Sequence, residues 1–101
     1  MVDEVDELIR MLKDKALSSG VRLGILIALY YIDGYVTFTD LHRDLDIPKS
    51  SLHQHLSILQ EDGLVEFKRA ITPLGVRTVV KITDKGKTVI KKYLELVKRL
   101  K

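Results

Sequence analysis

Thirteen consecutive residues, Gly20 to Ile32 (GVRLGILIALYYI), carry one charged side chain, Arg22, and are otherwise apolar nearly all the way round a helix. Such a helix predicts a central, buried position, because no water-facing side can be drawn on it. Its longest unbroken apolar run, Ile25 to Ile32, is far short of the roughly 20 residues needed to cross a bilayer. The rest of the chain must therefore wrap it. With 101 residues in all, there is room for one domain over 1–101. A domain of this size buries only about 60–70% of the surface its unfolded chain exposes, so association between copies is a natural further source of stability.

Periodicity lays out the wrapping elements. Val5, Leu8, Ile9, Leu12 and Ala16 recur at helical spacing and predict an amphipathic helix over 3–17. Asp3, Glu4, Asp6 and Glu7 fall in its first turns, where they complement the helix dipole. Ser18-Ser19-Gly20 breaks it and offers an N-cap to the central helix over 20–32. Asp33-Gly34 ends that helix, and Tyr35-Val36-Thr37 is β-prone. Thr39 is expected to cap a short helix with Leu41 and Leu45 on one face. After the tight turn Asp46-Ile47-Pro48, proline suits the first turn of a helix running to Asp62. Leu52, Leu56 and Leu59 form that helix's buried stripe, and Gly63 stops it. Two alternating segments follow: Val65, Phe67 and Ile71 share one face of the first, Val80 and Ile82 one face of the second, with Thr72-Pro73-Leu74-Gly75 as the hairpin loop. Thr83-Asp84 opens a last helix over 84–101 carrying Val89, Ile90, Tyr93, Leu96, Val97 and Leu100. The order α-α-β-α-α-β-β-α is that of an α+β, mainly α fold, a winged helix-turn-helix. The helix-turn-helix occupies 39–62 and the wing 65–82.

Composition removes several classes. Apolar residues at 46% and charged residues at 31% fit neither a disordered chain nor a membrane protein. The start MVDEVDEL is acidic where a secretory signal would be basic, so a cytoplasmic protein is expected. There is no cysteine, which excludes disulfides, thiolate zinc sites and a cysteine nucleophile. Asparagine is absent and glutamine appears only as Gln54 and Gln60, a composition expected of a hot habitat. Charge is polarised along the chain. Residues 1–47 carry five basic against nine acidic side chains, a net of −4, while 48–101 carry twelve against five, a net of +7. The second half is suited to a polyanion.

The segment LHRDLDIPKSSLHQHLSILQEDGLVEFKRA resembles the helix-turn-helix and first wing strand of MarR- and ArsR-type transcriptional regulators. The residues that carry the likeness are Leu52, His55-Leu56, Leu59 and Gly63-Leu64-Val65. The ending VVKITDKGKTVIKKY is similar to the strand, Thr-x-x-Gly cap and last helix of MarR-type proteins, so the likeness spans about 19–93. Where MarR-type wings usually hold an aspartate two residues before the wing arginine, this chain has Gly75 ahead of Arg77. The resemblance implies a minimal regulator that binds double-stranded DNA and represses by occluding a promoter.

The residues themselves mark where DNA would be met. At about 100° per residue, Ser50, Gln54 and Ser57 lie opposite the leucine stripe, flanked by Ser51 and His53, with Lys49 at the helix start. Gln54 suits adenine N6 and N7, and the serines and His53 suit bases or phosphates. The wing supplies Lys68, Arg69, Arg77 and Lys81, with no acidic residue from 67 to 83. Wing arginines suit a narrowed minor groove and the two lysines suit phosphates. The C-terminal basic run from Lys85 to Lys101 reads as the solvated side of the last helix. His53 and His55 stand about 200° apart on a helix and cannot chelate one ion, His55 reads as a packing histidine, and His42 has no evident partner. No metal or other cofactor is expected.

The first and last helices each carry an apolar stripe outside the helix-turn-helix. Val5, Leu8, Ile9, Leu12, Tyr93, Leu96, Val97 and Leu100 are therefore expected to form a homodimer interface. An enzyme is not expected: no nucleophile–base pair, carboxylate dyad or phosphate loop can be assembled. No aromatic platform accompanies the basic residues, which disfavours single-stranded or RNA ligands. The sequence permits a small-molecule effector without indicating one. The second reading left open is a winged helix used for protein contact within a larger nucleic-acid complex.

Overall fold

A computed structural model describes residues 2–100, the side chain of Val2 excepted, so Lys101 at the end of the basic run lies outside the described residues. The elements are α1 (Val2–Lys13), α2 (Gly20–Tyr30), β1 (Val36–Thr37), α3 (Phe38–Leu45), α4 (Lys49–Glu61), β2 (Val65–Thr72), β3 (Gly75–Ile82) and α5 (Asp84–Arg99). This is the element order, and the winged helix-turn-helix, read from the sequence. The three strands form one antiparallel sheet in the order β1-β3-β2.

One core joins all of it. Ile25, Leu26 and Leu29 of α2 meet Leu41 of α3, the Leu52/Leu56/Leu59 stripe of α4, Val65, Val80 and Ile82 of the sheet, and Ile90 of α5. Each fully buried leucine or isoleucine contributes about 1.5–3 kcal/mol by leaving water. Gly63 (φ 74°) reverses the chain after α4 in a left-handed conformation. Its N–H donates to the Gln60 carbonyl and the Leu64 N–H to the Leu59 carbonyl, both at 2.9 Å, the pattern of a glycine C-cap.

Four details depart from the sequence reading. The first helix ends at Lys13, not at 17. Asp14 turns the chain: its carboxylate accepts from the Ala16 N–H at 2.9 Å and its carbonyl from Leu17 and Ser18, so Ala16 and Leu17 drop into the core. The short helix is capped by Thr37, whose hydroxyl accepts from the Asp40 N–H at 3.1 Å, and Thr39 lies inside it. The central helix is not buried all round: Gly24 and Ala28 are exposed, and Tyr31 just beyond it is 72% exposed. Ile71 shares the core-side face of β2 with Val65 and Phe67 but lies past the core, in water.

Candidate nucleic-acid interface

The helix α4 presents two sides. Leu52, Leu56 and Leu59 are buried, while Lys49, Ser50, His53 and Gln54 are exposed and Ser51 and Ser57 half-buried. Its N-cap is Pro48, with no side-chain acceptor, so the first N–H groups of the helix lack an intrahelical partner and favour an anion. His53 is less free than the other five expected contacts, because its ring stands edge-on to Phe67 with centroids 5.0 Å apart.

Three tethers hold this helix, each from a different element. The Arg22 guanidinium of α2 donates to His55 Nδ1 (3.0 Å) and to the carbonyls of Lys15 (2.8 Å) and Ala16 (3.2 Å). Burial first, and then the Arg22 charge, push the His55 pKa below the usual histidine range. At the far end, Lys85 of α5 donates to the Asp62 carbonyl (2.7 Å) and the Thr83 hydroxyl to the Gly63 carbonyl (2.6 Å). Gln60 accepts from the Phe67 N–H at 2.7 Å and so joins the helix to the wing. None of these roles was visible in the sequence. Arg22 was an interruption in an apolar run, His55 a packing residue and Lys85 one of a solvated row. His42 also acquires a partner: its Nε2 donates to the Ile47 carbonyl at 2.7 Å, fixing the turn before α4.

The wing separates its expected contacts onto two faces. The register pairs Arg69 with Thr78 on the face that carries Phe67 and Val80, and places Lys68, Lys81 and Arg77 on the other. Arg69 lines a groove of about 480 Å³ between the wing and α4, together with His53, Ser57 and Phe67. Arg77 folds back at the turn and donates to its neighbour's carbonyl, Val76, at 2.9 Å. Lys68 and Lys81 flank the Tyr35 ring, their ammonium nitrogens 5.4 and 5.2 Å from its centroid. Glu66 sits in the same cluster, accepting from the Tyr35 hydroxyl (3.2 Å) and 3.7 Å from Lys68. Tyr35 first, and then Glu66, push the Lys68 pKa above the usual lysine range. The two lysines are thus held in a mixed cluster with Glu66 and Tyr35, where the run without acidic residues from 67 to 83 predicts a basic patch.

The outer helices α1 and α5 lie antiparallel within one chain, joined by ion pairs from Lys92 to Glu7 and from Arg99 to Glu4, the latter at 4.0 Å. Of the residues expected at an interface between copies, Leu96 is buried in its own chain, and Leu8, Leu12 and Tyr93 are half-buried. Val5, Ile9, Val97 and Leu100 are exposed. Leu96 is therefore packed inside its own chain. Among the described residues, no group of three or more His, Asp or Glu side chains is arranged to hold a metal, and no helix is long and apolar enough to cross a membrane.

Comparison with known proteins matches this arrangement. An uncharacterized protein of Methanocaldococcus jannaschii is 38% identical over 80 residues, covering 79% of this chain and 86% of its own. The structure of a transcriptional regulator homologue from Pyrococcus horikoshii superposes with a TM-score of 0.82 at 33% identity, covering 97% of this chain and 93% of that one. A mutant MarR from E. coli complexed with operator DNA shares the fold at 22% identity, with a TM-score of 0.68 over 93% of this chain and 68% of its own. Residues 21–100 match the family described as the winged helix DNA-binding domain. With the helix-turn-helix, the wing and the matched sequence all in agreement, the chain belongs to the winged helix DNA-binding domain family, with MarR-type regulators among its structural neighbours.

Proposed function

We infer that the chain is a transcriptional regulator that binds double-stranded DNA as a homodimer, reads a pseudo-palindromic operator and represses by occluding a promoter in the cytoplasm. The observation that carries this reading is the exposed face of α4. Ser50 and Gln54 point away from a fully buried leucine stripe, beside an uncapped helix N-terminus and a wing bearing Arg69 and Arg77. In this reading α4 enters the major groove, Gln54 pairs with an adenine edge, and Lys49, Ser50, Ser51 and Ser57 serve bases or phosphates. Val5, Ile9, Val97 and Leu100 form the outer seam between copies. A two-fold axis through that seam would set the recognition helices about 34 Å apart, one turn of B-DNA.

The test is fluorescence anisotropy of the protein with duplex DNA across a salt series. If each protomer neutralises about four phosphates, the dimer gives a log–log slope near −7. Absence of binding even at low salt overturns the reading and favours a winged helix that meets protein.

A further inference from the structure

Among the described residues, the two most exposed large apolar side chains, Ile71 and Leu74, stand together with Val76 at the tip of the wing. Ile71 is 89% exposed, Leu74 76% and Val76 50%. They cannot be core residues displaced by a loose turn, because the turn is well tied. The Thr72 hydroxyl donates to the Gly75 carbonyl (2.8 Å) and accepts from the Leu74 N–H (3.2 Å), while Gly75 adopts φ 104°. Ile71 and Val76 are direct cross-strand partners. They lie on the sheet face that carries Phe67 and Arg69, toward α4. An exposed apolar ribbon tip is a standing aggregation hazard, so its presence asks for an occupant.

The surrounding charge identifies one. The sequence from Phe67 to Thr83 contains no acidic residue, and Arg69 and Arg77 border the apolar tip on its two faces. An apolar point ringed by arginines repels neither a phosphate backbone nor the bases beneath it. It is also long enough for the task. Counted from the tip, the first buried residue of β3 is Val79, so the ribbon that projects ahead of it runs about four residues, or about 13 Å. The minor groove is about 7.5 Å deep.

We propose that the wing tip is an apolar wedge: Leu74, backed by Ile71 and Val76, enters the minor groove, opens a base step and bends the duplex, while Arg69 and Arg77 hold the flanking phosphates. This rests on the DNA-binding reading above and adds a mechanical action to it. Pyrimidine–purine steps unstack most readily, so the operator would favour one where the wedge enters. The sequence preference there would arise without a hydrogen bond to any base.

The experiment uses the intact 101-residue chain and a duplex that it selects from a randomised pool. Bend is read by end-to-end energy transfer, and unstacking by 2-aminopurine placed along the flanks of the site. Wild type is expected to bend the duplex by about 20–90° and to raise 2-aminopurine fluorescence at one step per half-site. The double variant I71T/L74S changes two exposed side chains and leaves Thr72 and Gly75 in place, so the fold is kept. It should still bind while losing both signals. Binding by wild type to a straight, fully stacked duplex overturns the wedge and leaves the DNA reading standing. Bending by wild type with no 2-aminopurine signal also overturns it. Failure of wild type to select any duplex overturns both. A change in oligomeric state in I71T/L74S, with bending retained, would instead assign the tip to contact between copies.

Discussion

Two glycines in helices give opposite answers to the same substitution. At Gly86, in the first turn of α5, an added Cβ would stand 2.3 Å from the Leu64 carbonyl oxygen and 2.7 Å from Ile82 Cγ1. Ordinary contact would require a displacement of about 1 Å. The obstacle is backbone, and it is already engaged: the Leu64 carbonyl accepts from the Thr83 N–H at 3.0 Å. Forcing the helix away costs about 1–3 kcal/mol in overpacking, plus about 1 kcal/mol if that hydrogen bond is lost. Alanine returns about 0.5–1 kcal/mol through its better helix propensity. Gly86→Ala should therefore destabilise by about 1–3 kcal/mol, and lower Tm by about 10 °C for a domain of this size. At Gly24, in the middle of α2, nothing lies within 4 Å of the added atom. Gly24→Ala should stabilise by about 0.5–1 kcal/mol. Thermal melts of both at one fixed protein concentration, which holds any contribution from association constant, provide the check. A Gly86→Ala variant as stable as wild type would refute the claim that α5 is seated on the start of β2 by backbone contact.

Stability should also depend on pH through His55. Its folded pKa lies below that of the unfolded chain, so its contribution is complete above about pH 6.5 and is lost as pH falls through the folded value. Urea midpoints from pH 8 to 5 should decline, and less so in His55→Gln; identical profiles would rule out the histidine. The Glu7 carboxylate, held below its usual range by Lys92, loses its contribution only in a lower window, below about pH 4.5, which keeps the two effects apart. Gln54→Ala should relax discrimination at one base pair per half-site by about 1–3 kcal/mol, and an unchanged profile over randomised sites would remove Gln54 from base reading. Val97→Glu should give monomers by analytical ultracentrifugation with weakened DNA binding; a dimer that survives it lies elsewhere on the surface.

The helices and strands were legible because each carries a hydrophobic period, and the turns because Pro48, Gly63 and Gly75 do what their backbones require. The end of α1 was not, because the stripe of Val5, Leu8, Ile9 and Leu12 runs on smoothly to Ala16 while a single carboxylate, Asp14, breaks the helix. Exposure on α2 is not legible in the sequence for a related reason. An apolar side chain signals burial only where another element covers it, and Gly24 and Ala28 lack one within the chain. In the candidate site, the outward face of α4 followed from its leucine stripe alone. The tethers did not, because an arginine or lysine bound to a distant acceptor has no signature in its neighbours along the chain. Arg22 reaches 33 residues ahead to His55, and Lys85 reaches back 23 to Asp62.

The wing cluster makes the charge argument quantitative. Lys68, Lys81, Glu66 and Tyr35 pack together, so two ammonium groups share one carboxylate and the cluster carries a net charge of about +1 toward a polyanion. Glu66 and Lys68 are both about half exposed, and a pair of that kind is worth at most about 1 kcal/mol. A phosphate can take Lys68 from it, but the carboxylate stays and holds back one counterion's worth of charge. With Lys49, Arg69 and Arg77 the total is about four per protomer, the basis of a slope near −7 for the dimer. Glu66→Gln keeps the oxygen that accepts from Tyr35 while deleting the charge. It should release about one more counterion per protomer and steepen the slope to about −9. Affinity should rise most at low salt, with the melting temperature little changed. A slope identical to wild type would mean that the Tyr35 cluster lies off the DNA path, leaving Arg69 and Arg77, nearer the tip, as the wing residues that meet phosphate.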